Sequence, residues 1–209
     1  AAQLMRELGC PRETISADEV VRIEPALAAI RHKIVGGDFT ATDESGDIYK
    51  FTTGLADQCA QAGVQFRFNH LVTRLLTEGT GASARVTGVE LIDDHGRHQV
   101  LRGDSVVLAM GSFSARLVKP LGINLLLYPG KGYSATYRVT DSALAPHVSL
   151  TDDGHKLVIS RLGDRLRVAG TCEISGYSRE LNAVRCEAIT RRTKELFPGA
   201  CDYDQPQYW

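Results

Sequence analysis

The sequence predicts a mixed α+β fold, and three patterns carry this prediction. Apolar residues recur at helical spacing in a segment near the N-terminus, in residues 47–62 and near the C-terminus. The run from Val106 to Met110 has no polar alternation, which is typical of a strand buried on both faces, as in a parallel sheet covered by helices. From Tyr133 onward, apolar and polar residues alternate between Asp-Gly and Gly-Asp turns, which predicts an antiparallel meander.

The first predicted helix covers residues 16–27. Ser16 and Glu19 have the spacing of a capping box, in which each residue's side chain accepts a hydrogen bond from the other's backbone amide. Residues 34–40 are rich in β-formers but contain two consecutive glycines. This pattern predicts a strand with either a bulge or a close approach of another backbone.

The second predicted helix, residues 47–62, has an apolar face and ends at Gly63. Residues 64–68 alternate Val, Phe and Phe with polar residues, which predicts a half-buried strand. Residues 85–93 and 99–103 flank the sequence Asp-His-Gly-Arg and predict a hairpin. The apolar run at 105–110 predicts the buried strand that follows it.

The C-terminal part predicts strands and then a last helix. The strands cover residues 133–139, 148–150, 156–160 and 165–171. Asn182 predicts the N-cap of a helix over 183–197, which Pro198 and Gly199 end. Its inward face is predicted to consist of Val184, Ala188, Ile189, Thr193 and Leu196.

Composition excludes several classes of protein. With 24 basic and 25 acidic side chains and no block of either sign, a nucleic-acid partner is not expected. The five cysteines form no C-x-x-C pair and the six histidines show no metal-ligand spacing, so we expect a reduced cytosolic protein without a metal site. No apolar run approaches the roughly 20 residues of a membrane helix, which leaves peripheral association with the inner face of a bacterial inner membrane open.

Five motifs occur in a fixed order along the chain. They are TDESGD at 42–47, FRFNHLVTRL at 66–75, VVLAMGSFS at 106–114, YPGKGYS at 128–134 and ISRLGDRLRVAGT at 159–171. Together they resemble the bacterial D-amino-acid dehydrogenase small-subunit family, which belongs to the D-amino-acid oxidase, glycine oxidase and sarcosine oxidase group of FAD-dependent oxidoreductases. The resemblance covers nearly the whole chain.

The resemblance implies three pieces of a two-domain enzyme. Residues 1–42 and 120–209 would belong to a substrate domain with an antiparallel or mixed sheet, and residues 43–119 to part of a Rossmann-like FAD-binding domain. The family's G-x-G-x-x-G loop and its substrate-carboxylate arginine have no counterpart here, and the sequence starts without methionine. We therefore expect a central fragment that is inactive and without FAD when isolated. Its exposed strand edges predict a homodimer.

Four residues are predicted to contact FAD in the whole enzyme. By resemblance, the main chain of Val72 faces the adenine, and His70 could border it. Gly111 and Ser112 match a second glycine motif that approaches the adenosine and pyrophosphate, although Gly111 is alternatively a plain turn after a strand. Lys131 is either a solvated turn residue or a charge near the flavin N1 and O2 atoms.

The implied reaction takes a hydride from the α-carbon of a D-amino acid, and the resulting imine hydrolyses to a 2-oxo acid and ammonia. Electrons would pass to a respiratory or membrane acceptor. Tyr133 and Arg161 are candidate substrate-carboxylate contacts; alternatively they serve sheet packing and a surface turn. No catalytic acid or base is predicted. The acidic residues of 43–47 are interpreted as capping the following helix through Asp43 or Ser45, rather than as paired catalytic carboxylates.

Two other functions fit the residues. One is a non-catalytic module that binds a ligand or a partner surface without flavin, which the missing phosphate-binding loop favours for the isolated fragment. The other is a related amine or imino-acid oxidase of the glycine or sarcosine oxidase type. The sequence does not identify the preferred amino acid.

Overall fold

The computed structural model describes residues 2–209, and the mixed α+β prediction is confirmed. The chain divides into two compact units. Unit 1 contains the residues up to Phe51 together with Gly130–Trp209, and unit 2 contains Thr52–Pro129. Every strand pair among the described residues is antiparallel. The assignment of the units to a flavin and a substrate domain stays a prediction.

The N-terminal part of unit 1 contains a small hairpin-like sheet between helices. Its elements are α1 (Ala2–Glu7), β1 (Arg12–Ser16), α2 (Ala17–Ile23), a 3-10 helix (Pro25–Lys33) and β2 (Gly36–Thr40). Strands β1 and β2 pair in register from Arg12–Thr40 to Ser16–Gly36. A Cβ on Gly36 would lie 2.8 Å from the Ile15 carbonyl oxygen, so of the two predicted alternatives the strand has the close approach of another backbone.

The start of α2 is as predicted, and its end is not. Ser16 caps the helix by accepting a 3.3 Å hydrogen bond from the Glu19 amide. The Glu19 carboxylate instead pairs with Arg22. The helix ends at Ile23, because the residue before Pro25 is disfavoured in α conformation and the chain continues as a 3-10 helix.

Helix α3 (Ile48–Gln61) leads into unit 2, whose sheet has the order β3-β4-β5. The strands are β3 (Leu71–Glu78), β4 (Arg85–Ile92) and β5 (His98–Arg102), and short 3-10 turns cover Gly81–Ser83, Gly111–Phe113 and Lys119–Leu121. Helix α4 (Ser114–Val118) packs against β3. The predicted hairpin is thus confirmed as β4 and β5.

Two predicted strands of unit 2 do not form. Neither residues 64–68 nor residues 105–110 pair with a strand among the described residues. Val107 is 87% exposed, and the rings of Phe66 and Phe68 stack on each other 5.6 Å apart. A strand buried on both faces needs a neighbouring strand and covering layers, and the described residues supply neither to the 105–110 segment. The apolar face of α3 is exposed as well.

The rest of unit 1 is a five-stranded sheet covered on one face by a helix. Its strands are β6 (Lys131–Val139), β7 (Leu150–Asp152), β8 (Leu157–Leu162), β9 (Arg165–Glu173) and β10 (Cys201–Tyr208), in the order β10-β6-β9-β8-β7. The four predicted strands form an antiparallel sheet, but only β7, β8 and β9 follow one another as a meander, because β6 pairs with β9 and not with β7. The edge strand β10 was not predicted. The N-terminal 3-10 helix contributes Leu27 and Ile30 to the same core.

Helix α5 (Ala183–Leu196) begins where the sequence predicts. The Asn182 side chain accepts hydrogen bonds from the Val184 and Arg185 amides, which confirms the predicted cap. The buried residues are Cys186, Ile189, Thr193 and Leu196. Val184 is exposed, because it lies in the first turn, beyond the end of the sheet core.

Candidate functional site

Val72 lies in the edge strand of the unit 2 sheet. It is half-buried and pairs with Leu91 of β4, and the β3–β4 register shifts between Val72 and Arg74. Because β3 has a strand on one side only among the described residues, alternate backbone amides and carbonyls along its outer edge face away from the sheet. His70, just before β3, donates from Nδ1 to the Phe68 carbonyl oxygen, 2.7 Å away.

Gly111 forms the turn from the apolar segment 105–110 into α4. Its φ of +54° lies in the left-handed region that favours glycine, and a Cβ there would meet no atom within 4 Å. The Met110 amide donates a 3.2 Å hydrogen bond to Oγ of Ser114, which ties the turn to the helix. Ser112 is half-buried in the 3-10 turn that follows Gly111. Helix α4, which follows this turn, packs against β3, the strand that contains Val72.

Lys131 begins β6 in unit 1 and is held by two oxygen acceptors. Its Nζ lies 2.5 Å from Oε1 of Glu173, at the end of β9, and donates to the Glu180 carbonyl oxygen at 2.7 Å. The carboxylate of Glu173 raises the pKa of Lys131. Lys131 is therefore an ion-paired, half-buried residue of unit 1, not a solvated turn residue.

Tyr133 is buried beside the same carboxylate. It is 2% exposed, donates from its hydroxyl to Glu173 Oε1 at 2.7 Å, and accepts from the Asn182 amide at 3.3 Å. Arg185 of α5 pairs with Glu173 Oε2 at 3.2 Å, and its guanidinium carbon lies 5.9 Å from the centre of the Tyr133 ring. We call Lys131, Tyr133, Glu173 and Arg185 the Glu173 cluster.

Hydrogen bonding sets the protonation of the cluster. The hydrogen bond from Lys131, followed by that from Tyr133, lowers the pKa of Glu173 to about 2. The charged carboxylate therefore persists over the whole neutral and mildly acidic range. The carboxylate thus lies between two cations, Lys131 and Arg185.

Arg161 stands apart from the Glu173 cluster. It donates to the Gly163 carbonyl oxygen at 3.1 Å and to the Ser142 backbone and hydroxyl oxygens at 3.3 and 2.8 Å. These bonds hold two turns together, which supports the surface-turn interpretation. A substrate contact of Arg161 stays a prediction.

The acidic residues before α3 cap it, but the capping residue differs from those predicted. Oδ1 of Asp47 accepts from the Tyr49 and Lys50 amides at 3.1 and 3.2 Å, and Oδ2 pairs with Arg165 at 3.2 Å. Ser45 instead bonds the Ser149 hydroxyl. Asp47 replaces Asp43 and Ser45 as the cap because it is the residue directly before the first helical turn.

Comparison with protein families decides the kind of protein. The model of the family described as DAO, FAD-dependent oxidoreductase, matches residues 1–209. The chain belongs to this DAO family.

Two similar curated relatives of the DAO chain are named D-amino acid dehydrogenases. A D-amino acid dehydrogenase from Dechloromonas aromatica is 48% identical over 209 residues, which are 100% of this chain and 49% of the relative. A D-amino acid dehydrogenase from Paramagnetospirillum magneticum is 44% identical over 209 residues, 100% of this chain and 47% of the relative. The chain thus spans about half the length of the curated relatives it matches.

Solved structures show the same fold. A glycine oxidase from Bacillus cereus superposes with a TM-score of 0.79 at 20% identity, over 99% of this chain and 53% of the other. An L-proline dehydrogenase from P. horikoshii gives a TM-score of 0.75 at 14% identity, over 99% and 54%. At these identities the likeness concerns the DAO fold alone.

Two features of unit 2 leave main chain open to a ligand, and their contact with FAD stays a prediction. The open space beside Gly111 and the outer edge of β3 both leave backbone polar groups accessible, as a ligand bound through main-chain contacts requires. These two features lie in unit 2, whereas the Glu173 cluster lies in unit 1. Within residues 2–209, no helix is long and apolar enough to span a membrane.

Glu173 and Arg185 were missed by sequence reasoning. Glu173 follows the last recognised motif by two residues, and it lies 40 residues from Tyr133 in the chain. A signal was available: pairing the predicted strands at 133–139 and 165–171 as neighbours extends the β9 strand to a glutamate opposite Lys131. A meander places consecutive strands side by side, so the predicted topology did not contain the pairing of β6 with β9.

Proposed function

We propose that the protein oxidises D-amino acids to 2-oxo acids and ammonia with FAD as cofactor. The observation that carries this proposal is the 48% identity, over all 209 residues, to a D-amino acid dehydrogenase. Membership of a family of FAD-dependent oxidoreductases supports the cofactor. When FAD is bound, it supplies the two-electron redox chemistry, and the protein binds and orients the reactants.

The unit 2 residues are proposed to hold the adenosine end of FAD. Val72 would offer backbone groups on the outer edge of β3, and the Gly111–Ser112 turn would let main chain approach the ribose and pyrophosphate. The sequence has no G-x-G-x-x-G loop. We therefore expect the isolated 209-residue chain to bind no FAD tightly and to be inactive.

The unit 1 residues are proposed to position the reactants. The Tyr133 hydroxyl already holds one carboxylate, that of Glu173, and the residue is buried, so a substrate carboxylate could reach it only by displacing Glu173. A positioning role for Tyr133 is better supported than direct contact. Lys131, fixed by Glu173, would supply positive charge near the flavin ring.

The proposal extends to partners and location. The electrons would pass to a respiratory acceptor at the inner face of the bacterial inner membrane, with the protein itself cytosolic or peripheral. The exposed apolar segment 105–110 and the exposed face of α3 would favour pairing of two copies of the isolated chain.

A chimera tests the proposal. Residues 1–209 would replace the matching segment of the D-amino acid dehydrogenase from Dechloromonas aromatica, which supplies the remaining half of its length. We expect a yellow protein that reduces an artificial dye with D-alanine and not with L-alanine. A folded chimera that binds FAD but oxidises only glycine or sarcosine would contradict the substrate assignment.

Two controls make the result interpretable. The parent dehydrogenase, treated in parallel, shows that the dye assay and the flavin content are measured correctly. The isolated 209-residue chain, freed of unbound FAD, is expected to be colourless. If it retained stoichiometric FAD, the proposed need for a glycine-rich phosphate loop would be wrong.

A further inference from the structure

The five-stranded sheet of unit 1 has a second face that α5 does not cover. Tyr137 of β6 points toward α5, where its hydroxyl lies 3.0 Å from Oγ of Thr190. Because successive side chains of a strand alternate between faces, the neighbouring Thr136 lies on the opposite face. Arg167 of β9 is in register with Thr136 on one side and with Ser160 of β8 on the other. These three side chains therefore share the face opposite α5.

Arg167 is held in place without being neutralised. Its guanidinium carbon lies 5.8 Å from the centre of the Trp209 ring. Trp209 is itself fixed to β6 by two backbone hydrogen bonds with Ser134, of 2.8 and 2.9 Å. A guanidinium over an aromatic ring keeps its in-plane N–H donors available, since the ring contacts only its flat side.

The other two arginines of this face are paired. Arg138 lies 3.7 Å from Asp202, and Arg165 lies 3.2 Å from Asp47. Arg167 has no carboxylate within ion-pair distance among residues 2–209. It is also in direct register with two hydroxyl residues, and directly opposed side chains have Cβ atoms about 4.5–5.5 Å apart.

A buried hydroxyl without a partner lies on the same face. Ser134 is 3% exposed, and its Oγ has no hydrogen-bond partner among the described residues. Ser134 precedes Thr136 by two positions on β6 and pairs with Ala169, two positions beyond Arg167. Buried polar groups without partners are uncommon in folded proteins, and each one requires an explanation.

The apolar surroundings indicate the ligand class. Val158 of β8 pairs with Ala169 on this face and is 49% exposed. A single unpaired guanidinium with neighbouring hydroxyls suits one carboxylate, because its two N–H groups match two carboxylate oxygens. The exposed valine and the alanine suit a short apolar group attached to that carboxylate.

We propose that Arg167, together with the hydroxyls of Thr136 and Ser160, binds a small organic carboxylate on the face of the sheet opposite α5. The guanidinium binds the two oxygens, and the hydroxyls donate to them from the adjacent strands. The Ser160 hydroxyl does so while accepting from that of Ser149, which lies 3.0 Å away. That this carboxylate is the amino acid or 2-oxo acid of the reaction rests on the proposed function, whereas carboxylate binding by itself does not.

Trp209 provides the test, since it is the only tryptophan of the 209-residue chain. The intact chain would be titrated with sodium propanoate, D-alanine and inorganic phosphate, with sodium chloride at equal ionic strength as the reference. We expect a saturable change in tryptophan fluorescence and a rise in Tm with propanoate and D-alanine beyond the effect of chloride. A response to phosphate alone, or none beyond chloride, would overturn the proposal.

Substitutions locate the response. Arg167→Lys keeps the positive charge but loses the two parallel N–H donors of the guanidinium. The apparent Kd for propanoate should therefore rise about tenfold. Arg167→Gln should abolish the rise in Tm, a readout that does not depend on the altered environment of Trp209. Arg138→Gln, which removes a paired arginine of the same face, should leave the response intact. An unchanged response in both Arg167 variants would refute the assignment.

The titration uses neither FAD nor turnover. Failure of carboxylate binding would therefore leave the proposed oxidation of D-amino acids standing. Conversely, a chimera without dehydrogenase activity would not affect the binding result.

Discussion

The hydroxyl of Tyr133 donates a 2.7 Å hydrogen bond to Oε1 of Glu173, although 40 positions separate the two residues in the chain. The same hydroxyl accepts from the Asn182 amide at the start of α5, and the same carboxylate pairs with Lys131 and Arg185. The bond thus joins the beginning of β6, the end of β9 and the N-terminus of α5. Loss of the Glu173 carboxylate should therefore loosen all three elements.

Glu173→Gln should reduce stability in a pH-dependent way. The pKa of Glu173 is lowered from 4.5 to about 2, so the folded state favours the charged form. Such a group stabilises the fold fully above its unfolded pKa, and the contribution is lost as the pH falls from about 4.5 toward 2. Urea unfolding at several pH values should show a difference between wild type and variant that is largest near neutrality and shrinks below pH 4.5.

Glu13→Gln is the control for this series. Glu13 is exposed in β1 and has no ion-pair partner among the described residues. The free energy of unfolding of the Glu13→Gln variant should equal that of the wild type at every pH. A Glu173→Gln deficit that stays constant down to pH 2.5 would show that the lost stability does not come from the carboxylate charge.

Tyr133→Phe should lower the free energy of unfolding at pH 7 by about 1–3 kcal/mol, because it removes the hydrogen bond from the buried hydroxyl to the charged Glu173 carboxylate and the acceptor of the Asn182 amide. Tyr128→Phe, at an exposed position of unit 2, should change it by less than about 0.5 kcal/mol. Urea denaturation followed by far-ultraviolet circular dichroism measures both. Equal effects of the two substitutions would mean that the Tyr133 hydroxyl contributes nothing to the fold.

Local sequence patterns predicted much of unit 1. Contacts between residues distant in the chain were not predicted. Asn182 and Ser16 were found as helix caps because capping depends on residues at most three positions away. The segment 105–110 was predicted as a buried strand from its apolar run, yet burial depends on neighbours that a local pattern does not contain. The same reason explains why Lys131 and Tyr133 were singled out but Glu173, their common partner, was not.

Glu24→Ala should be among the most destabilising single substitutions in the chain. The Glu24 side chain is 1% exposed and accepts hydrogen bonds from the His147, Val148 and Ala26 amides at 2.6, 3.0 and 3.2 Å. Alanine would leave these amides without acceptors, and we expect a loss of about 2–5 kcal/mol in the free energy of unfolding. Chemical denaturation at pH 7 measures it.

Glu19→Ala is the matched control for Glu24. Its carboxylate forms an exposed pair with Arg22, and such pairs contribute about 0–1 kcal/mol. Glu24→Gln, which keeps one acceptor oxygen, should fall between the two alanine variants. If Glu24→Ala were no more destabilising than Glu19→Ala, the bonds to the His147 and Val148 amides would not hold that loop.

Gly111→Ala should weaken FAD binding by the chimera more than it weakens the fold. Gly111 has a φ of +54° and Gly122 a φ of +79°, and a Cβ on either would meet no atom within 4 Å. Alanine at either position should therefore cost a similar amount, about 1–2 kcal/mol of backbone strain. Only at Gly111 would the added methyl group lie where the adenosine end of FAD is proposed to approach the main chain. The Kd of the Gly111→Ala chimera for FAD should therefore rise about tenfold or more, which corresponds to at least about 1.4 kcal/mol. Flavin fluorescence quenching during reconstitution gives the two Kd values, and urea denaturation of the isolated chain gives the two stabilities. Equal rises in Kd for the two variants would mean that strain alone weakens binding and that Gly111 is a plain turn after the 105–110 segment.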